Sequence, residues 1–268
     1  MNHPATASIT SSREWAGLSD VHCHILPGVD DGAQTLEESW ALARALVADG
    51  VSSVIATPHQ MGRYAGKNGP AEIREKAMVL QRSLDEAGIA LKVLPGGDVR
   101  IEEDLGKRIQ ADGVLTLGDL KKHILLELPH EAYFEPWGLL AELQAMGIQS
   151  ILSHPERHHH VQQQPALAGA WLKHGVLLQV TSGSLTGDFG EAAQKCAWQL
   201  MTYGAISILA SDAHDCDRRP PRMKTALKMI SDKLAGPIAR RLVDNAQRVV
   251  DGQAIAVPFV PMLAARRR

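Results

Sequence analysis

The chain has 268 residues, 45% of them hydrophobic and 22% charged, with 28 Lys plus Arg set against 30 Asp plus Glu. That near-neutral balance leaves no excess charge to drive nonspecific binding to nucleic acid or to an anionic membrane, and no apolar stretch reaches the ~18 residues of a membrane helix. Three cysteines, Cys23, Cys196 and Cys216, are odd in number and widely spaced, which argues against a disulfide framework and makes a reducing cytoplasm the expected compartment.

Residues 1–17 are rich in Ser, Thr and Ala without a continuous apolar core, and read as a flexible lead-in rather than a secretory signal. Leu18–Cys23 follows as a first strand, leading into a Pro- and Gly-containing loop that ends at Gly32. Thr35 can cap the next helix, with Glu38 three residues on as in a capping box. That helix carries Leu36, Trp40, Ala43 and Val47 at spacings of three or four, and Gly50 can end it. Val51–Ala56 is a second strand and 72–87 a charged amphipathic helix closed by Gly88. Further strands are expected at 89–94, 123–128, 148–153, 176–180 and 205–210. Helical segments fall between most of them, at 137–146, 167–174 and 191–203. Two more, 224–234 and 238–248, finish the chain.

Seven mostly apolar strands alternating with helices predict parallel strands covered by helices. Either a closed or distorted α/β barrel or an open doubly wound sheet satisfies that count. No linker, repeat or low-complexity tract divides residues 18–255, so one domain is expected there, followed by a tail over 256–268.

The informative feature is where polar residues fall. Strand one ends in Asp20-Val21-His22-Cys23-His24, and the i, i+2 spacing turns both imidazoles to one face. Strand two leads to His59, strand three to Asp98, strand four to Glu127, strand five to His154, and strand seven to Asp212 and His214. In a parallel barrel these carboxyl ends open on one face, the face that carries active sites. Imidazole and carboxylate suit Mn, Zn or Fe, while the thiolates of a structural zinc site are largely missing. A His or Asp at one strand end is ordinarily a cap or turn residue; the repetition across strands points instead to a site for several metals. Glu127 adds weight, because a carboxylate in a buried apolar strand needs a cation or donors nearby.

Other features carry less. Cys216 to Arg222 has the Cys-x5-Arg spacing of thiolate phosphatases, but Pro220 and Pro221 have no N–H to offer a phosphate and no glycine lets the loop fold tightly. Arg218, Arg219 and Arg222 make this stretch a basic loop beside the metal face, able to meet an anionic substrate or simply solvated. His158-His159-His160 reads as a solvated tract, and Cys23 as a packed core thiol.

Taken in order, Asp20 to Gly32 (DVHCHILPGVDDG), Ala56-Thr57-Pro58-His59, Leu94 to Arg100 (LPGGDVR), Ser153 to Arg157 (SHPER) and Ser211-Asp212-Ala213-His214 resemble one family. It is that of the bacterial protein-tyrosine phosphatases of the polymerase-and-histidinol-phosphatase (PHP) superfamily, encoded with capsular and exopolysaccharide assembly systems. The resemblance covers residues 18–250. It implies a distorted (β/α)7 TIM-like barrel, the PHP fold, holding up to three divalent ions, usually Mn2+, with Fe, Zn, Mg or Co as alternatives. Carried over, His22, His24 and Asp212 would hold one ion, Glu127 and His154 a second with Asp98 bridging the two, and Asp31, His59 and His214 the third. Arg157 and an arginine among 218, 219 and 222 would grip phosphate, while a metal-activated hydroxide attacks phosphorus. The implied substrate is phosphotyrosine on a protein, in particular the C-terminal tail of a bacterial tyrosine kinase that controls polysaccharide synthesis. The sequence departs from the pattern at Asp98, where the family has Glu, and at Gln60, where a histidine is frequent. The same motifs fit a histidinol-phosphatase type of small-molecule hydrolase, or a metal-binding module weakened in catalysis by the shorter Asp98.

Overall fold

The computed structural model describes residues 15–129 and 132–261. Nine strands alternate with helices: β1 (Leu18–Cys23), β2 (Val51–Ala56), β3 (His59–Gln60), β4 (Lys92–Pro95), β5 (Asp98–Arg100), β6 (His123–Glu127), β7 (Gln149–Leu152), β8 (Leu177–Thr181) and β9 (Ile208–Ala210). The longer helices are Leu36–Ala48, Pro70–Glu86, Trp137–Ala145, Glu191–Thr202, Met223–Lys233 and Gly236–Val250. All the strand pairs are parallel, in a three-stranded sheet β1-β2-β4 and a six-stranded sheet β3-β5-β6-β7-β8-β9. The two sheets are one curled surface, because the chain passes from the first into the second twice. After β2, Pro58 interrupts the ladder, having no N–H, yet its carbonyl accepts from Asp98 N at 3.1 Å. After β4, Gly96 and Gly97 make the same step. A Cβ on Gly97 would lie 2.2 Å from Gln60 Oε1, so only glycine lets the strand pass this close. At the other edge, Asp212 N donates to His22 O at 2.8 Å and His24 N to Ala213 O at 2.9 Å, linking the ends of β1 and β9.

The fold is thus α/β with a curled parallel sheet. The strands expected at 51–56 and 89–94 each continue beyond a break into a short second strand, which raises the count from seven to nine. The first helix begins where expected: Thr35 accepts from Glu38 N at 3.2 Å, although Glu38 reaches back to Gln34 N rather than to Thr35 N. Residues 1–14 and 262–268, and with them most of the proposed lead-in and the end of the tail, lie outside the described residues. Trp15, also within the stretch read as lead-in, is buried, with Arg240 over its ring at 5.4 Å. Cys23, Cys196 and Cys216 are all free. Among the described residues, no helix is long and apolar enough to cross a membrane.

Two apolar layers flank the strands. The larger packs the outer faces against the helices, and Cys23 belongs to it. The smaller is a plug inside the curl, built from Val21, Ile55, Leu125, Ile151, Leu177, Ile208 and Ala210 with Ala246 and Val249 of the last helix closing its lower end. The period of two then carries the same inner face upward into polar chemistry: Leu125 to Glu127, Leu177 to Gln179, Ala210 to Asp212. In β1 a register irregularity between Asp20 and Cys23 places Val21 in the plug while His22 still faces the site above it.

At the opposite end of the strands, the ring of His123 is buried, and burial, opposed only in part by Gln149, lowers the imidazole to about 4. Between that value and the ordinary 6.5, the unfolded chain takes up a proton that the folded chain refuses, so stability falls on acidification through this window. In chelator-treated protein, His123→Gln is expected to remove ~2–3 kcal/mol of the stability loss between pH 7 and pH 4, measured by urea unfolding. Parallel losses in variant and wild type would refute this.

Candidate metal centre

Nine side chains from seven separate segments meet above the apolar plug. They form four overlapping groups, in each of which the ligand atoms lie within 4.8 Å of one another: His24, Asp31, His59 and His214; His22, His24 and Asp212; His22, Asp98 and His154; His59, Asp98 and Glu127. All nine proposed metal ligands are therefore brought together. The grouping differs in one respect from that implied by the resemblance: His22 shares a group with Asp98 and His154, and Glu127 joins His59 and Asp98. His154 Nε2 stands 3.7 Å from Glu127 Oε1.

The protonation pattern tests whether these groups suit a cation. His22 Nδ1 donates to Gln179 Oε1 at 3.0 Å, His24 Nδ1 to Asp30 Oδ2 at 2.6 Å, and His214 Nδ1 to Asp212 O at 3.1 Å. Each Nδ1 proton is engaged, so the neutral His22 and His214 turn an Nε2 lone pair to the site, and the Nε2 of His24 becomes a donor atom once a cation displaces its proton. His22 Nε2 and His24 Nε2 are 3.2 Å apart, and Asp212 Oδ1 lies 3.2 and 3.3 Å from them. Two imidazole nitrogens and a carboxylate oxygen converge at one point around the His24 proton, the donor set of a cation site. Both Asp98 oxygens are buried without a hydrogen bond, with His59 Nδ1 at 3.3 Å and His22 Nε2 at 3.6 Å. The imidazole and carboxylate donors fit a hard or borderline divalent ion.

Electrostatics agree. Burial holds His22 and His154 below the ordinary imidazole value, and burial with His24 nearby takes His214 down to about 4, so these rings stay neutral. His24 is the exception: burial alone would lower it, but Asp30 and Asp212 overcome that and raise it to about 10. Positive charge is thus favoured where the acids crowd. Burial and the neighbouring Asp98 push Glu127 up to about 7. Burial opposes ionisation of Asp212, yet His22, Arg219 and Arg157 hold it well below the carboxylate range.

The backbone bends to aim two of these side chains. His154 and Asp212 both adopt positive φ, +30° and +50°, at the points where β7 and β9 end. Non-glycine residues in this region store strain that recurs at functional sites.

A cavity of about 470 Å³ opens over the cluster, with Asp31, His59, Glu127, His154, Asp212, Arg157 and Arg219 on its walls. Arg157 Nη1 and Arg219 Nη2 both bond to Asp212 Oδ2, the latter at 2.6 Å. The other two arginines stand apart. Arg218 is 91% exposed beside Asp215, and Arg222 pairs with Asp188 at 3.1 Å; neither lines the cavity. His159 and His160 are exposed, whereas His158 is buried against the Pro129 carbonyl at 3.2 Å, correcting the expectation of a solvated tract. Gln60, where the family often has histidine, is buried and bonds Leu115 N and Asn68 O, so it braces the loops beside the site.

Sequence reasoning passed over several supporting residues. Asp30 orients His24 and also accepts from His59 N at 3.0 Å. Asp20, raised to about 6 by burial, accepts from Ser211 N at 3.0 Å and from the Ser211 hydroxyl, and so fixes the turn that carries Asp212. Gln179 could have been found by the signal that marked Glu127, a polar residue within a buried apolar strand.

The family described as "Capsular polysaccharide synthesis, CpsB/CapC" matches residues 18–251. The chain belongs to this family. It is 37% identical over 246 residues to the tyrosine-protein phosphatase YwqE of Bacillus subtilis (strain 168), covering 89% of this chain and 93% of that one. It is 26% identical over 245 residues to the tyrosine-protein phosphatase CpsB of Streptococcus pneumoniae, covering 89% and 100%. A crystal structure from work on B. subtilis YwqE and S. pneumoniae CpsB, described as "unique metal-dependent tyrosine phosphatases", superposes with a TM-score of 0.86 at 34% identity, covering 90% of this chain and 97% of that one.

Asp30 touches no proposed ion position but sets the ring of a proposed ligand. Asp30→Ala is expected to weaken divalent-ion binding by about 10- to 100-fold, measured by competition with a fluorescent chelator. Unchanged affinity would show that His24 needs no such partner.

Proposed function

We propose that the protein is a metal-dependent protein-tyrosine phosphatase of polysaccharide assembly, acting on phosphotyrosine of a cytoplasmic kinase tail. The observation that carries this reading is the convergence of nine proposed ligands and two arginines on one cavity, in a chain of the CpsB/CapC family. On the same reading the curled sheet is a distorted (β/α)7 barrel, with the β2–β3 and β4–β5 pairs each counted as one interrupted strand, and residues 18–255 are one catalytic domain.

His22, His24, Asp31, His59, Asp98, Glu127, His154, Asp212 and His214 would hold up to three divalent ions, with Mn2+ the preferred metal. Bound there, the ions would supply Lewis acidity to the phosphoryl oxygens and a water of lowered pKa. The protein's own groups do the remaining work. Arg157 and Arg219 each give one N–H to Asp212 Oδ2 and keep others for an incoming phosphate. Arg219 Nε is buried and has no hydrogen-bond partner, a donor ready for an anionic oxygen. Asp30, Gln179 and the Asp212 carbonyl keep the imidazoles in the ligating tautomer.

The reading is tested by phosphate release from a phosphotyrosine peptide. Mn2+-loaded protein is expected to turn the peptide over faster than histidinol phosphate, and chelation to abolish turnover. No metal-dependent release would overturn it, and faster turnover of histidinol phosphate would favour the small-molecule assignment. Asp98 speaks against an inactive binding module, because its carboxylate already lies within 3.6 Å of both His22 and His59. Asp98→Glu is therefore expected to give no gain in turnover; activity appearing only in that variant would establish the module reading instead.

A further inference from the structure

Phe189 lies outside every motif described above, yet it touches both arginines of the cavity. The Arg157 guanidinium carbon sits 4.4 Å from the centre of its ring, and that of Arg219 sits 5.5 Å away. Three distant segments meet here. Arg157 comes from the turn after β7, Arg219 from the loop after β9, and Phe189 from the loop that precedes the helix Glu191–Thr202. The ring is seated deliberately: a Cβ on Gly183 would lie 2.8 Å from Phe189 Cε2, and Asp188 N donates to Gly183 O at 2.9 Å. Beside the ring, Asp188 pairs with Arg222 at 3.1 Å, which fastens this loop to the basic 215–222 stretch.

Two guanidinium groups on one carboxylate oxygen repel each other, and Asp212 also faces His22 and His24 through its other oxygen. The negative face of an aromatic ring offsets part of that repulsion and limits the rotamers open to two long side chains that are 18% and 25% exposed. We propose that Phe189 is a positioning residue for phosphate: its ring is a shared platform that holds Arg157 and Arg219 on the cavity wall with their unused N–H edges presented to an anion. Arg222 acts at one remove, by anchoring the platform loop through Asp188, rather than by meeting substrate. This inference rests on the phosphatase reading and assigns the affinity for the phosphoryl end of the substrate to a residue that never touches it.

The test combines steady-state kinetics on a phosphotyrosine peptide, inhibition by inorganic phosphate, and direct titration of inorganic phosphate into the metal-loaded protein. Phe189→Leu is expected to raise both KM and the phosphate inhibition constant about tenfold, with kcat within threefold of wild type and the metal count per chain unchanged. Phe189→Trp, which keeps a π face, is expected to stay within about threefold on every measure. Should the leucine variant not fold, Phe189→Met fills the space without a ring and is expected to show the same tenfold loss. Unmoved KM and phosphate inhibition in a folded variant would overturn the proposal, as would a loss of metal and kcat with KM unchanged, which marks a purely structural role. If the wild type binds phosphate but hydrolyses no phosphotyrosine peptide, the phosphatase reading fails, while a tenfold weaker titration by Phe189→Leu still supports the platform.

Discussion

Everything at the open end of this fold depends on the burial of several carboxylates and imidazoles at one point. Asp98, Asp212 and Glu127 are all buried, as are His22, His24 and His154, and the arginines in contact with them both bind Asp212. A buried carboxylate without partners is among the most costly groups in a protein interior. The chain compensates in part: imidazoles stand beside Asp98, and His24 keeps a proton that burial would otherwise remove. Those measures overcome burial and hold Asp98 below its ordinary range, through His22, His59 and His154, but leave Glu127 pushed up to about 7. On the proposed reading, divalent cations would take the place of the His24 proton.

Such a polar cluster is tolerable because of what lies beneath it. Inner-facing residues of six strands close into an apolar plug, and the last helix caps that plug from below. The cluster therefore rests on a packed floor, and β6 and β9 deliver Glu127 and Asp212 two residues above Leu125 and Ala210 on the same face. Where the plain alternation does not aim a side chain correctly, the backbone departs from it. β1 is irregular between Asp20 and Cys23, Pro58 and Gly97 break two strands, and His154 and Asp212 take positive φ. At these points a ladder is given up for the direction of a side chain at the site.

This division explains what could be read from the sequence. Strands such as Leu18–Cys23 and Val51–Ala56 declare themselves through apolar runs, and the ligands do so by recurring where those runs end. The first helix shows its start in Thr35, because a cap is a local interaction. The extra strands β3 and β5 were hidden, since two or three residues after a proline or a glycine pair have no period of their own. Asp30 and Asp31 stand side by side in the sequence, and only three-dimensional placement separates the one that orients His24 from the one that faces His59 and His214. The arginines illustrate the same limit. A run containing Arg218, Arg219 and Arg222 offers three equivalent charges, but the loop turns only Arg219 to the cavity. Phe189 gave no signal at all, because its significance lies in two partners far away along the chain.

Asp212 joins the two halves of the site. Its Oδ1 faces the Nε2 atoms of His22 and His24, while its Oδ2 receives Arg157 and Arg219. One carboxylate thereby fixes the distance between the proposed ion positions and the donors for an anion. Its own position is fixed in turn, by the backbone bond from its N–H to His22 and by the neighbouring Ser211, which Asp20 holds. On the proposed reading, a shift of this residue would disturb cation and anion binding together. On the same reading, the positive-φ backbone at Asp212 would therefore join metal chemistry on one side to phosphate recognition on the other.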